Sequence, residues 1–268
     1  MNWGPYVLVF VAGLVAAFGT SLGAVPLFWV DDIGDKLDVG LWGFAGGLMA
    51  SASVFGLLFE AYKKNSGWLL VGAGIACGIL LVIFAHYVVD HYGPDFQPED
   101  IAQGDFQTIL NILLVLFVHS FPEGLAIGVS FAELNHTGGI HILGFTVPLV
   151  AIAITGSLAI HNFPEGLATA IPINDVDSIG NGRMWGAAFF TSLPQPIGAV
   201  IAFYFVRLAQ QFLGFGYGFA AGSMLYLVIG DVLPEGLEAG ESLSNPTWYL
   251  SAGVIVGFVV FIPLLFVL

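Results

Sequence analysis

Apolar stretches long enough to cross a bilayer recur from one end of this sequence to the other, and that recurrence leaves little choice of fold. A lipid core takes roughly 20 apolar residues per helical crossing. Here 57% of the 268 residues are hydrophobic and 9% charged, with a mean hydropathy of +0.92. Inside lipid every backbone amide and carbonyl must be satisfied within the chain, so such runs read as helices. With Gly, Pro and charge as punctuation, we expect an all-α integral membrane protein of eight transmembrane helices, near residues 5–30, 40–61, 67–90, 107–132, 141–172, 184–210, 213–238 and 248–268. They form a single polytopic domain over 1–268. The first run, about Tyr6 to Val30, has no basic residues before it and no clear small-residue cleavage site, so it reads as a retained span. Residues 91–106 are expected to be a polar loop, because Gly93-Pro94-Asp95 and Pro98 have no backbone partners in lipid.

Charge narrows the partners. Lys and Arg number 5 against 19 Asp and Glu, a net charge of -14, which argues against nucleic acid and favours cations. With so few basic residues the positive-inside rule does not settle orientation. The single cysteine, Cys77, excludes an intrachain disulfide and a cysteine-based zinc cluster.

An octapeptide occurs twice inside these apolar runs. His119-Ser120-Phe121-Pro122-Glu123-Gly124-Leu125-Ala126 returns as His161-Asn162-Phe163-Pro164-Glu165-Gly166-Leu167-Ala168, with a weaker echo at Asp231-Val232-Leu233-Pro234-Glu235-Gly236-Leu237. His and Glu four residues apart share one face of a helix. Two such helices facing each other would converge four N/O ligands from His119, Glu123, His161 and Glu165, a set suited to zinc or iron rather than to calcium or magnesium. Each ionisable group costs about 2.5–3.5 kcal/mol at the centre of an inserted helix, so four of them together call for a use. The proline between each His and Glu lacks an amide donor and disturbs the bond to the carbonyl of Val118 or Ile160, as in the broken helices that line transport cavities.

Asp231 and Glu235, followed by Glu238 and Glu241, read either as a cation path or as an acidic helix end reaching water. Met49 offers a thioether, though a lone methionine in a span is more often packing. His86, Asp90 and His91 close the third span, where collecting metal before or after passage and a solvated loop explain them equally well. His136 and His141 flank the connection between the motif helices. Gln195, an amide between Pro194 and Pro196, needs a polar partner in lipid.

The paired motifs closely resemble the fourth and fifth helices of ZIP (Zrt/Irt-like) metal transporters, particularly the GufA and ZupT-like branch. The likeness extends to Gly23-Ala24-Val25-Pro26-Leu27, Gly43-Phe44-Ala45-Gly46-Gly47-Leu48-Met49-Ala50-Ser51 and Pro194-Gln195-Pro196-Ile197-Gly198-Ala199. The resemblance implies eight helices with both termini outside, an inverted repeat relating helices 1–3 to 6–8 around motif helices 4 and 5, and transport toward the cytoplasm. It assigns His119, Glu123, His161 and Glu165 as primary ligands, places Met49 nearby, and puts Asp231 less securely on an exit path. Ser120 and Gln195 depart from the family's usual Asn and Glu at a second, adjacent metal position, to which Asn162 of the second motif is joined. A hydroxyl and a neutral amide hold a second dication poorly, so one tightly held metal is expected.

The resulting expectation is a non-enzymatic, multi-pass transporter of the cell membrane that moves Zn2+, with Fe2+, Mn2+ and Cd2+ also open, by alternating access. The metal is a substrate and no catalytic cofactor is expected. A homodimer is left open. Rival readings are a passive metal channel and an intramembrane zinc hydrolase; the chain lacks His-Glu-x-x-His, and a symmetric motif suits a pore better than an active site.

Overall fold

The computed structural model describes residues 3–30, 33–64, 66–92, 120–136, 138–174 and 180–267. Helix α1 runs Gly4–Gly23 and tightens into a 3-10 turn at Val25–Phe28, starting with a proline in its first turn, where a missing amide is harmless. Helix α2 spans Asp35–Lys63 and α3 Trp68–Tyr92. Helix α4 is described over 120–130. A two-stranded hairpin follows, β1 Gly139–Ile142 paired antiparallel with β2 Phe145–Pro148, and then α5, Leu149–Asn174. Helix α6, Asn181–Leu208, is interrupted at Ser192 and Leu193; α7 spans Gln210–Glu238 and α8 Pro246–Val267. Six of these helices are long and apolar enough to cross a membrane: α1, α2, α3, α6, α7 and α8. The chain is a helical, multi-pass membrane protein.

Two features differ from the hydropathy reading. Residues 141–148, taken as the head of the fifth span, are hairpin: Ile140, Ile142 and Val147 alternate along strands, and Leu143 and Gly144 both take positive φ (52° and 83°) in the tight turn between them. Asn135 closes its base, its carboxamide oxygen accepting from the Thr146 amide at 3.1 Å. Also, α5 passes through Pro164 as one continuous helix, so the motif proline removes a hydrogen bond at Ile160 without breaking the helix. Most of the expected 91–106 loop and the first half of the fourth span lie outside the described residues; 91 and 92 still belong to α3.

The helices pack as a group formed by α1, α5 and α6, flanked by the pairs α2/α8 and α3/α7. Enclosure follows position: 67% of the apolar window of α2 is buried, against 22% for α3 and α8, which present Phe84 and Ile255 outward. Glycines set the closest approaches. In α2/α8, a Cβ at Gly43 or Gly47 would lie 2.1–2.2 Å from the Leu250 or Val254 carbonyl, and one at Gly253 or Gly257 equally close to Gly40 or Phe44. In α3/α7 the same arrangement returns, with Gly218 and Gly222 against Val71 and Ile75, and Gly74 and Gly78 against Phe215 and Phe219. Gly23 and Gly166 lock α1 to α5 against the Phe163 and Thr20 carbonyls; Gly198 and Gly124 lock α6 to α4 against those of Phe121 and Gln195. Small residues let backbones meet where lipid gives no hydrophobic drive.

Helices α2 and α7 each widen into a π segment, Ala52–Leu58 and Val228–Val232. Side-chain hydroxyls stand before or at the start of both. Ser51 and Ser53 donate to the Leu48 and Met49 carbonyls at 2.9 and 2.8 Å, and Ser223 to Phe219 at 2.9 Å, competing with the backbone ladder.

Candidate metal centre

Glu123 from α4 and His161 and Glu165 from α5 meet in the interior. Each is buried, and one ligand atom from each lies within 4.8 Å of the others. The four-residue spacing of His161 and Glu165 puts both on one face of α5. The close approaches at Gly124 and Gly166, each directly after a motif glutamate, bring α6 against α4 and α1 against α5 next to these residues. His161 Nε2 stands 3.0 Å from Glu123 Oε1, and His161 Nδ1 has no hydrogen-bond partner among the described residues. Imidazole and carboxylate oxygens so arranged are a donor set for a divalent transition ion. His119, the fourth expected ligand, lies outside the described residues.

A chain of amides holds Glu123 from behind. The Gln195 carboxamide donates to Glu123 Oε2, and Asn162 Nδ2 donates both to Gln195 Oε1 at 3.0 Å and to the Ala16 carbonyl at 2.8 Å. The break in α6 explains Gln195: with Leu193 capping and Pro194 at the first helical position, the glutamine sits in the first turn of a new helix, its amide bonded to the Ser192 carbonyl at 3.0 Å. Ser120 is buried at the start of the described part of α4, its hydroxyl without a hydrogen-bond partner among the described residues.

The other expected residues lie further off. Asp231, in the π segment of α7, pairs with His86 of α3 at 3.3 Å. Glu235 is near enough to Asp231 on one side and Glu165 on the other for their charges to interact, so acidic groups continue from the centre along α7. Met49 is fully buried in α2, just before its π segment. His136 and His141 belong to the hairpin region, His141 meeting Thr146 at 3.3 Å. Two hydroxyls escaped the sequence reading: Thr20 and Ser192, both fully buried, meet at 2.5 Å between α1 and the break in α6. Their polarity in apolar runs was the available signal, but a hydroxyl in a helix usually bonds its own turn's carbonyl and so marks nothing.

No protein-family model matches the chain. It is similar to three relatives named for zinc transport. A protein of Arabidopsis thaliana with the provisional name of zinc transporter is 35% identical over 244 residues, 90% of this chain but 36% of the plant protein, so the chain spans about a third of that relative's length. Zinc transporter GufA of Myxococcus xanthus is 27% identical over 250 residues, 89% of this chain and 93% of that protein. Zinc transporter ZIPB of Bordetella bronchiseptica is 28% identical over 262 residues, 92% of this chain and 77% of that one.

Proposed function

The chain belongs to the ZIP family, in its GufA and ZupT-like branch, and from that premise we propose that it carries divalent transition metal ions, zinc foremost, across a membrane through the centre at Glu123, His161 and Glu165. The convergence of two carboxylates and an imidazole within 4.8 Å carries this reading. Two unit charges about 5 Å apart repel by roughly 3 kcal/mol at an effective dielectric near 20. A dication between them turns that repulsion into attraction, and the His161 nitrogens supply the borderline donor that zinc favours over calcium.

In this reading His119 completes the ligand set and Met49 adds a thioether. Asp231 and Glu235 lead the ion away from the centre. The eight spans form one transmembrane domain in which helices 1–3 and 6–8 are inverted repeats. The glycine register supports that symmetry, since the α2/α8 contacts recur in α3/α7 and those of α1/α5 in α4/α6. Under it Thr20 answers to Gln195, and the two π segments answer to each other. Alternating access follows as movement of the α1, α4, α5 and α6 group against the flanking pairs, delivering metal toward the cytoplasm across the cell membrane. The relatives' names are those of transporters, and the site serves the metal as cargo, not as a catalytic cofactor.

Uptake of radioactive zinc into vesicles containing the purified protein, against empty vesicles, tests the reading. Saturable uptake is expected; strictly linear uptake favours a channel. No uptake of zinc, iron, manganese or cadmium by a folded sample sinks it.

A further inference from the structure

Thr20 of α1 and Ser192, at the break in α6, depart from what their neighbours do. Ser21 donates to the Phe18 carbonyl at 2.9 Å and Thr191 to the Ala188 carbonyl at 2.8 Å, each within its own helix. Thr20 Oγ1 and Ser192 Oγ instead meet each other at 2.5 Å across two helices, both fully buried. The helix's own carbonyl is the usual partner of such a hydroxyl, so a bond between helices holds two elements in register.

Both ends of this bond lead to the metal centre. On the α1 side, the Thr20 carbonyl fits against α5 only because Gly166, directly after Glu165, has no side chain. On the α6 side, Pro196 lacks the amide that would reach the Ser192 carbonyl four residues earlier. The Gln195 amide takes that carbonyl instead, at 3.0 Å. Where the second half of α6 starts, and with it how Gln195 meets Glu123, therefore depends on where Ser192 is held. Asn162 steers the same glutamine through its side chain, bonding Gln195 Oε1 and the Ala16 carbonyl one turn before Thr20.

We propose that Thr20 and Ser192 are positioning residues of the metal centre: their bond fixes the break in α6 so that Gln195 stays on Glu123, and zinc affinity depends on it. The proposal rests on the metal-centre reading above.

The test is the zinc affinity of the purified protein by equilibrium dialysis, with thermal unfolding of the same samples as the measure of folding. Thr20→Val keeps the branched shape and removes the hydroxyl, and is expected to weaken zinc about three- to tenfold, the worth of one hydrogen bond. Ser192→Ala makes the same test from the other helix, and the two together lose no more than either alone, because they share one bond. Thr20→Ser keeps the hydroxyl and the native affinity. Thr191→Val removes the adjacent hydroxyl, which bonds its own turn, and leaves affinity native. In a Gln195→Ala background Thr20→Val costs nothing further, since the glutamine through which it acts is gone. A loss that Thr20→Ser does not avoid, a full additional loss on top of Gln195→Ala, or native affinity in both Thr20→Val and Ser192→Ala overturns the proposal. A bond that only packs α1 on α6 gives the last of these, with a lowered melting temperature alone. A native protein that binds no zinc removes the metal-centre reading itself; one that binds zinc indifferently to these variants removes this inference alone.

Discussion

In the proposed metal centre Gln195 stands beside Glu123, where a carboxylate in its place would offer a second cation an acceptor. Its amide donates to Glu123 and is itself oriented by Asn162, so the space beside Glu123 is filled by a donor where a second cation would need an acceptor. Gln195→Glu is therefore expected to raise the zinc bound per chain from one toward two, read by elemental analysis after equilibrium dialysis. Gln195→Ala keeps one zinc but weakens it by about 10- to 100-fold, the usual cost of removing a group that orients a ligand. Binding needs a neutral imidazole and ionised carboxylates, so protons compete with the metal. Zinc affinity is expected to fall as the pH is lowered, and binding to release protons, which titration in two buffers of different ionisation enthalpy detects. The meeting of Glu123, His161 and Glu165 was legible in the sequence because a His-x-x-x-Glu pair occurs twice in apolar runs. Thr20 and Ser192 were not, since nothing local tells a hydroxyl bonded across helices from one bonded to its own turn.

At the scale of elements, glycine carries the register. A Cβ at Gly166 would fall 1.7 Å from the Thr20 carbonyl, and this backbone cannot give way as a side chain can. Gly166→Ala should separate α1 from α5, cost about 1–3 kcal/mol or more through overpacking, and lower zinc affinity with it. Gly186→Ala is the contrasting case. Among the described residues nothing outside its own helix turn lies within 4 Å of a Cβ there, so it should hold or raise the melting temperature, because Ala exceeds Gly in helix propensity by about 1 kcal/mol. Thermal unfolding followed by tryptophan fluorescence compares the two. Hydropathy points to the six helices long and apolar enough to cross a membrane among the described residues, but not to the hairpin at 139–148 or the π segments. An apolar run beginning at Ile140 joins a helix or a strand equally well until the Leu143-Gly144 turn is seen. The widening of α2 at Ala52 depends on serines that also occur in unbroken helices.

For the whole molecule, the alternating access proposed above requires the α1, α4, α5 and α6 group to move against its neighbours. Val129 of α4 and Gly216 of α7 face each other across that seam, a Cβ at Gly216 lying 3.4 Å from a Val129 methyl. In a Cys77→Ser background, Val129→Cys with Gly216→Cys is expected to lose uptake on oxidative cross-linking, to regain it on reduction, and to bind zinc in both states. Uptake that survives complete cross-linking would show that the seam need not move.

Passage of metal through the proposed Glu123, His161 and Glu165 centre is tested by comparing radioactive zinc uptake by vesicles holding the native chain with uptake by those holding Glu123→Ala plus Glu165→Ala. Saturable uptake by the native protein that falls to the level of empty vesicles in the variant, with the variant still folded, is the result expected. Uptake by the variant equal to the native rate would contradict the account.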